Sequence, residues 1–248
     1  MTTKAALKHV RSLHQKKYRE LSGSFLVQGE RSVRELLGSG MPVQALYATE
    51  TMARTLGLHD AEILPPHELD RLGTLESGNE VVAEVRKPVH PSFTSLEEGE
   101  LVIALDGIAD PGNLGTVLRI ADWFGVRRVL CGQDCVDEFN PKCVQASMGG
   151  ILRVAVHRDD LVRKLPELKR AGSTIYLASM EGSSVFDVKL LTPAVLVMGS
   201  EAHGVSKAIR DLESELISVP RLGGAESLNV AMATSALCME FTRQRPAR

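Results

Sequence analysis

LVIALDGIADPGNLGTVLRIADWFG, residues 101–125, decides the fold. Leu101 to Leu105 is an unbroken apolar run, the pattern of a strand buried on both faces. Asp106-Gly107-Ile108-Ala109-Asp110-Pro111-Gly112 is a Gly/Pro turn. Leu114, Val117, Leu118 and Ala121 then recur at i, i+3, i+4 and i+7, one face of a helix. A buried strand passing through a turn into an amphipathic helix is the repeating unit of a parallel sheet. Arg119 lies off the apolar stripe, so its guanidinium is free to reach outward.

The downstream sequence repeats this alternation. RRVLCG is a strand, CVQASMGG a helix, DLVRKLPELKRAG a helix and TIYLAS a strand. AVLVMGS is a strand, VSKAIRDL a short helix, LISVP a strand and LNVAMATSALCMEFTRQ the closing helix. The pattern predicts a mostly parallel α/β sheet covered on both faces over residues 100–248. Upstream, LKHVRSLHQKKYRELSG reads as one helix and RSVRELLGSG as another. FLVQGE, VQALYAT, AEILPP and EVVAEVRKP read as strands. Residues 1–92 are thus a smaller α/β domain. Residues 93–99, after the proline-punctuated Lys87-Pro88-Val89-His90-Pro91, form a linker.

Ligands of open α/β sheets bind beyond the carboxyl ends of strands, and three loops there stand out. In the first, glycines permit close backbone approach and Asn113 can cap the helix. It is not GxGxxG, which argues against a dinucleotide. The second, Gly199-Ser200-Glu201-Ala202-His203-Gly204-Val205, has P-loop-like glycines. It has Val205 where a P-loop needs lysine, and Glu201 where phosphate would sit, so a neutral or cationic ligand suits it better. The third runs from Val219 to Asn229, with Ser227 as the candidate N-cap of the last helix and Asn229 in its first turn.

The chain has 248 residues, 44% hydrophobic and 24% charged, which excludes disordered and fibrous classes. With a net charge of −2, no global positive field gathers nucleic acid. Charge is segregated instead: residues 1–19 carry Lys4, Lys8, Arg11, Lys16, Lys17 and Arg19 and no acid. That stretch is a candidate anion-facing arm, with Lys16, Lys17 and Arg19 among its cations. Aromatics are only 4%, so base stacking is not the expected mode of binding. Cys131, Cys135, Cys143 and Cys238 fit no zinc spacing, and no metal is expected. With no membrane span or signal core read in the chain, a cytoplasmic protein with reduced thiols is expected.

DPGNLGTVLR, MGSEAHG and ISVPRLGGAESLNVAMA together resemble, in order and spacing, the three motifs of the SpoU (TrmH-like) RNA ribose 2′-O-methyltransferases of the SPOUT superfamily. EFNPKCVQASMGGILRV resembles a further family stretch. The first ninety residues resemble the family's L30e-like substrate-binding domain. The resemblance implies a C-terminal trefoil knot, a homodimer, and S-adenosylmethionine held by Gly199, Val219 and Leu228 with Met198 and Ser218 beside them. It implies catalytic roles for Arg119, Asn113, Glu201, Ser227 and Asn229. Arginine is a poor proton acceptor, so Arg119 is expected to hold the RNA phosphate and steer the hydroxyl. Proton removal through that phosphate or through a perturbed arginine both stay open, and Arg221 and Glu226 have no assigned role. The implied partner is RNA, ribosomal before transfer RNA, met by Lys16, Lys17 and Arg19 of the basic arm, with neither DNA nor a membrane; the alternative reading is a non-catalytic RNA-binding factor that keeps the knot.

Overall fold

The structure is a computed structural model describing residues 3–75 and 78–245. In the N-terminal half, α1 (Lys4–Ser12), α2 (Lys16–Ser22), α3 (Glu30–Ser39), α4 (Glu50–Leu56) and α5 (Pro66–Leu72) surround a mixed sheet. Its strands β1 (Ser24–Gln28), β2 (Val43–Ala48), β3 (Glu62–Ile63) and β4 (Val81–Arg86) are ordered β1-β4-β2-β3. β4 runs antiparallel to both neighbours, and only β2 and β3 pair in parallel.

The helix expected across residues 7–23 breaks at Leu13–Gln15. Leu13 is buried, and His14 Nε2 bonds the Leu72 carbonyl at 2.7 Å. A break leaves carbonyls without helical partners. Arg19 Nη1 takes two of them, Leu13 O at 2.7 Å and His14 O at 2.9 Å. Helices α4 and α5 were not anticipated. Each has seven residues, too few for a periodic signal, though Thr49 caps α4 through Met52 N at 3.2 Å. The strand expected at AEILPP shrinks to Glu62–Ile63.

The C-terminal half holds six parallel strands. These are β5 (Leu101–Asp106), β6 (Arg128–Cys131), β7 (Ala155–Arg158), β8 (Thr174–Ser184), β9 (Ala194–Gly199) and β10 (Glu215–Ser218), in the order β10-β8-β9-β5-β6-β7. Helices α6 (Pro111–Trp123), α7 (Pro141–Ala146), α8 (Leu161–Arg170), α9 (Lys207–Arg210) and α10 (Val230–Gln244) complete it. Edge strand β7 was missed because its residues, AVHR, do not form an apolar run. Strand β8 runs past the expected TIYLAS, and β10 crosses over Gly182, where an added Cβ would lie 2.6 Å from Ile217 N. One apolar cluster spans both halves, from Phe25 and Val81 through Ile103 to Leu118 and Phe241.

The junction between the halves is also polar. Arg19 Nε and Nη2 reach Asp137 Oδ2 at 3.0 and 2.6 Å, with both side chains buried. Arg153 joins Glu35 of α3 and Asp122 of α6, each at 2.9 Å.

Candidate active site

Register brings two of the three loops side by side, because Asp106 at the end of β5 pairs with Gly199 at the end of β9. Asp106 Oδ2 then accepts from Ser206 N at 2.6 Å, tying the loop after β9 to the end of β5. That loop is tight: Ser200 and Gly204 exchange backbone hydrogen bonds of 3.0 and 2.8 Å. A Cβ on Gly199 would sit 2.0 Å from the Gly204 carbonyl carbon, so only glycine lets the loop fold back on its strand.

Beyond the ends of β8, β9 and β10 lies a cavity of about 540 Å³. Met198, Gly199, Ser218, Val219 and Leu228 all line it, as do Glu201 and Ser227. Its walls are largely apolar, with Leu177, Ile217, Val230 and Leu237 among them. The ionisable lining residues Glu181, Glu201, His203, Arg210 and Arg221 are all exposed, placing charge at the mouth. An apolar slot with a few charges at its entrance fits a ligand with a planar heterocycle and a charged tail.

Beside this cavity, three side chains from three loops form a chain. Asn229 Nδ2 donates to Asn113 Oδ1 at 3.0 Å, and Asn113 Nδ2 donates to Glu201 Oε1. Two expectations about capping are corrected here. Asp110, not Asn113, caps α6, its Oδ1 accepting from Asn113 N at 2.9 Å. Pro111 starts the helix, which moves Asn113 into the first turn and frees its amide. Likewise Asn229, not Ser227, caps α10 through Ala231 N at 2.9 Å. The Asn229 oxygen is thereby fixed and its Nδ2 is aimed at Asn113.

Arg119 is exposed, and among the described residues no side-chain hydrogen bond or ion pair engages it. It does not line the cavity, and stands about 9 Å along α6 from Asn113 at the helical rise. Two further residues escaped the sequence reading. Lys142 Nζ pairs with Asp110 Oδ2 at 2.9 Å, and this hydrogen bond, with help from the Asn113 amide, holds the Asp110 carboxyl below its usual range. The signal was available in NPK at residues 140–142, where Asn140 caps α7 through Lys142 N at 2.9 Å.

Of the three cations expected to meet RNA, Lys16 and Lys17 are exposed. Arg19 is not: it is 1% exposed, and its guanidinium is spent on Asp137 and two carbonyls. Its assignment to the RNA contacts is therefore corrected to a structural anchor. Its position in a basic run hid that role. Among the described residues, no group of three or more His, Cys, Asp or Glu is placed to hold a metal ion.

The SpoU rRNA Methylase family matches residues 100–239, and the MRM3-like substrate binding domain matches residues 4–104. The 23S rRNA (guanosine(2553)-2′-O)-methyltransferase of Bacillus subtilis (strain 168) is 30% identical over 236 residues, covering 93% of each chain. A TrmH-family protein from Porphyromonas gingivalis superposes with TM-score 0.89 at 37% identity, over 99% of this chain and 100% of that one. The SpoU methyltransferase AviRb from Streptomyces viridochromogenes, solved in complex with AdoMet, gives TM-score 0.87 at 29% identity over 98% of both chains. With two of the three loops lining an apolar cavity, the first hydrogen-bonded to both beside it, and a family match over more than half its length, the chain belongs to the SpoU family and is an S-adenosylmethionine-dependent RNA ribose 2′-O-methyltransferase.

Proposed function

We propose that the protein methylates ribosomal RNA in the cytoplasm, working as a homodimer whose last segment threads a trefoil knot. The observation that carries the site assignment is the meeting of all three loops: five cofactor-assigned residues line one cavity, and Asn113, Asn229 and Glu201 are hydrogen-bonded beside it. The main-chain groups of Gly199, Val219 and Leu228 would hold S-adenosylmethionine, with Met198 and Ser218 as walls. When bound, that group supplies an electrophilic methyl. Everything else is placement and charge, which together lower the barrier to transfer.

Arg119 takes the RNA phosphate next to the reacting ribose bidentately and steers the 2′-hydroxyl. Asn113 and Asn229 orient the ribose. Glu201 fixes the Asn113 amide, and with it the mouth of the cavity. Ser227, exposed in the third loop, is left free to meet the ribose or the cofactor tail. The relative from Bacillus subtilis is named for 23S rRNA, which supports ribosomal RNA as the target. Support for the dimer comes from exposed apolar side chains on two packed helices, Trp123 on α6 and Met232 and Met239 on α10. The proposed domains are residues 1–92 and 100–248, joined through 93–99.

Mapping 2′-O-methyl sites in total RNA, with and without the gene, tests the proposal. A single ribosomal site lost with the gene is the expected result. A lost site in transfer RNA, or none at all, refutes the ribosomal assignment.

A further inference from the structure

The basic N-terminal run is not a loose arm. Arg19 pins α2 to Asp137 in the segment that leaves β6 and ends at the Asn140 cap of α7. That segment and the helix it leads into each touch the loop after β5. Val136 N donates to Ile108 O at 2.8 Å in the loop after β5, and Lys142 of α7 pairs with Asp110, the cap of the helix that carries Asn113. One buried ion pair thus sets α2 at a fixed offset from the site.

The outer face of α2 is unusual. Tyr18 is 40% and Leu21 73% exposed, although large apolar groups generally prefer burial. Leu21 lies one turn from both Lys17 (i, i+4) and Tyr18 (i, i+3), and Lys17 Nζ lies 6.0 Å from the Tyr18 ring centroid. Lys16, two residues before Tyr18, projects from a different side of the helix, 60% exposed and in a weak 3.7 Å pair with Glu20. An exposed ring and an aliphatic side chain bordered by an ammonium group match a base with its phosphate. Fully paired A-form RNA offers no ring face to such a patch, whereas a splayed nucleotide does.

We propose that the outer face of α2, formed by Lys17, Tyr18 and Leu21, is a stacking platform for an unpaired nucleotide of the RNA substrate. This rests on the methyltransferase reading above. It reverses the expectation, drawn from the low aromatic content, that stacking plays no part.

The test is a salt titration of binding to protein-free 23S ribosomal RNA from cells lacking the gene, using the full-length protein. Tyr18→Ala should weaken binding about 5- to 150-fold at every salt concentration and leave the slope of log K against log salt unchanged, because stacking releases no counterions. Tyr18→Trp should retain affinity. Lys17→Ala should instead flatten the slope by about 0.7, one phosphate contact on a single strand. Wild-type affinity in Tyr18→Ala overturns the proposal. So does a loss of affinity accompanied by dissociation of the oligomer in gel filtration, which would make α2 a subunit contact. Transfer of labelled methyl by the wild-type protein, measured alongside, reports separately on the proposed function.

Discussion

Replacing Arg19 with methionine separates the anchor from the RNA contact it resembles in sequence. Methionine keeps the stem but removes four hydrogen bonds, two to Asp137 Oδ2 and two to the carbonyls of Leu13 and His14. Asp137 is 7% exposed and would keep only the Phe139 amide, at 3.1 Å on Oδ1, among its hydrogen bonds. Removing one partner of such a buried pair costs about 3–5 kcal/mol, because the other charge stays behind without compensation. For a chain of this length each kcal/mol lowers the melting temperature by about 2–4 °C, so the fall should be roughly 6–20 °C. Scanning calorimetry without cofactor measures it. The double variant Arg19→Met with Asp137→Leu should recover much of the loss, since an apolar pair leaves no stranded charge. The salt slope of RNA binding should not change. A stability within about 1 kcal/mol of wild type, the size of an exposed pair, together with a flatter slope would refute the reasoning, because the guanidinium would then be reaching phosphate rather than Asp137.

Arg119→Ala should lower methyl transfer by about 10²–10³-fold with cofactor affinity and oligomeric state unchanged, as calorimetric titration and gel filtration would show; comparable loss of cofactor binding would make Arg119 structural. Gly199→Ala should abolish S-adenosylmethionine binding in the same titration, because the new methyl collides with the Gly204–Val205 backbone; wild-type affinity would show that the loop can move aside. Burial, helped by His90, Arg128 and Lys164, pushes the His157 pKa down to about 4. As pH falls below the ordinary 6.5, the unfolded chain gains a proton at this residue that the folded one refuses, so the His157 contribution to stability declines until about pH 4 and then levels. His157→Gln should flatten the melting-temperature profile over that window, and an unchanged profile would show that other groups set it. Trp123→Glu should dissociate the proposed dimer in sedimentation; a variant that sediments like wild type places the subunit contact elsewhere.

Most of the parallel sheet was legible because its central strands are apolar runs closed by a Gly or Pro turn, as at Leu101–Asp106 and Ala194–Gly199, whereas edge strand β7, AVHR, is not and was missed. The N-terminal half was less legible. Its helices α4 and α5 are too short to complete a periodic pattern, and the break at Leu13–Gln15 depends on Arg19, a residue that local propensity reads as helical. Candidate site residues could be named where a motif fixed them. What they bond to could not, because the Asn229–Asn113–Glu201 chain joins positions about a hundred residues apart. The capping errors share a cause. Ser227 and Asn113 are good caps by residue type, yet Asp110 and Asn229 were already at the turn of the backbone. NPK at residues 140–142 marks the start of α7, but the pairing of Lys142 with Asp110 escaped because it crosses an interhelical contact that no spacing rule reports.

The apolar cluster that runs unbroken from β1 and β4 into β5, α6 and α10 has a consequence for engineering substrate choice. Grafting the N-terminal half of a relative onto this catalytic half would cut through a shared interior. A chimera must therefore carry, with the new recognition module, the facing residues of α6 and the turn bearing Asp137. Swapping specificity within this lineage is a problem of repacking a seam, and exchanging a separable head will not solve it.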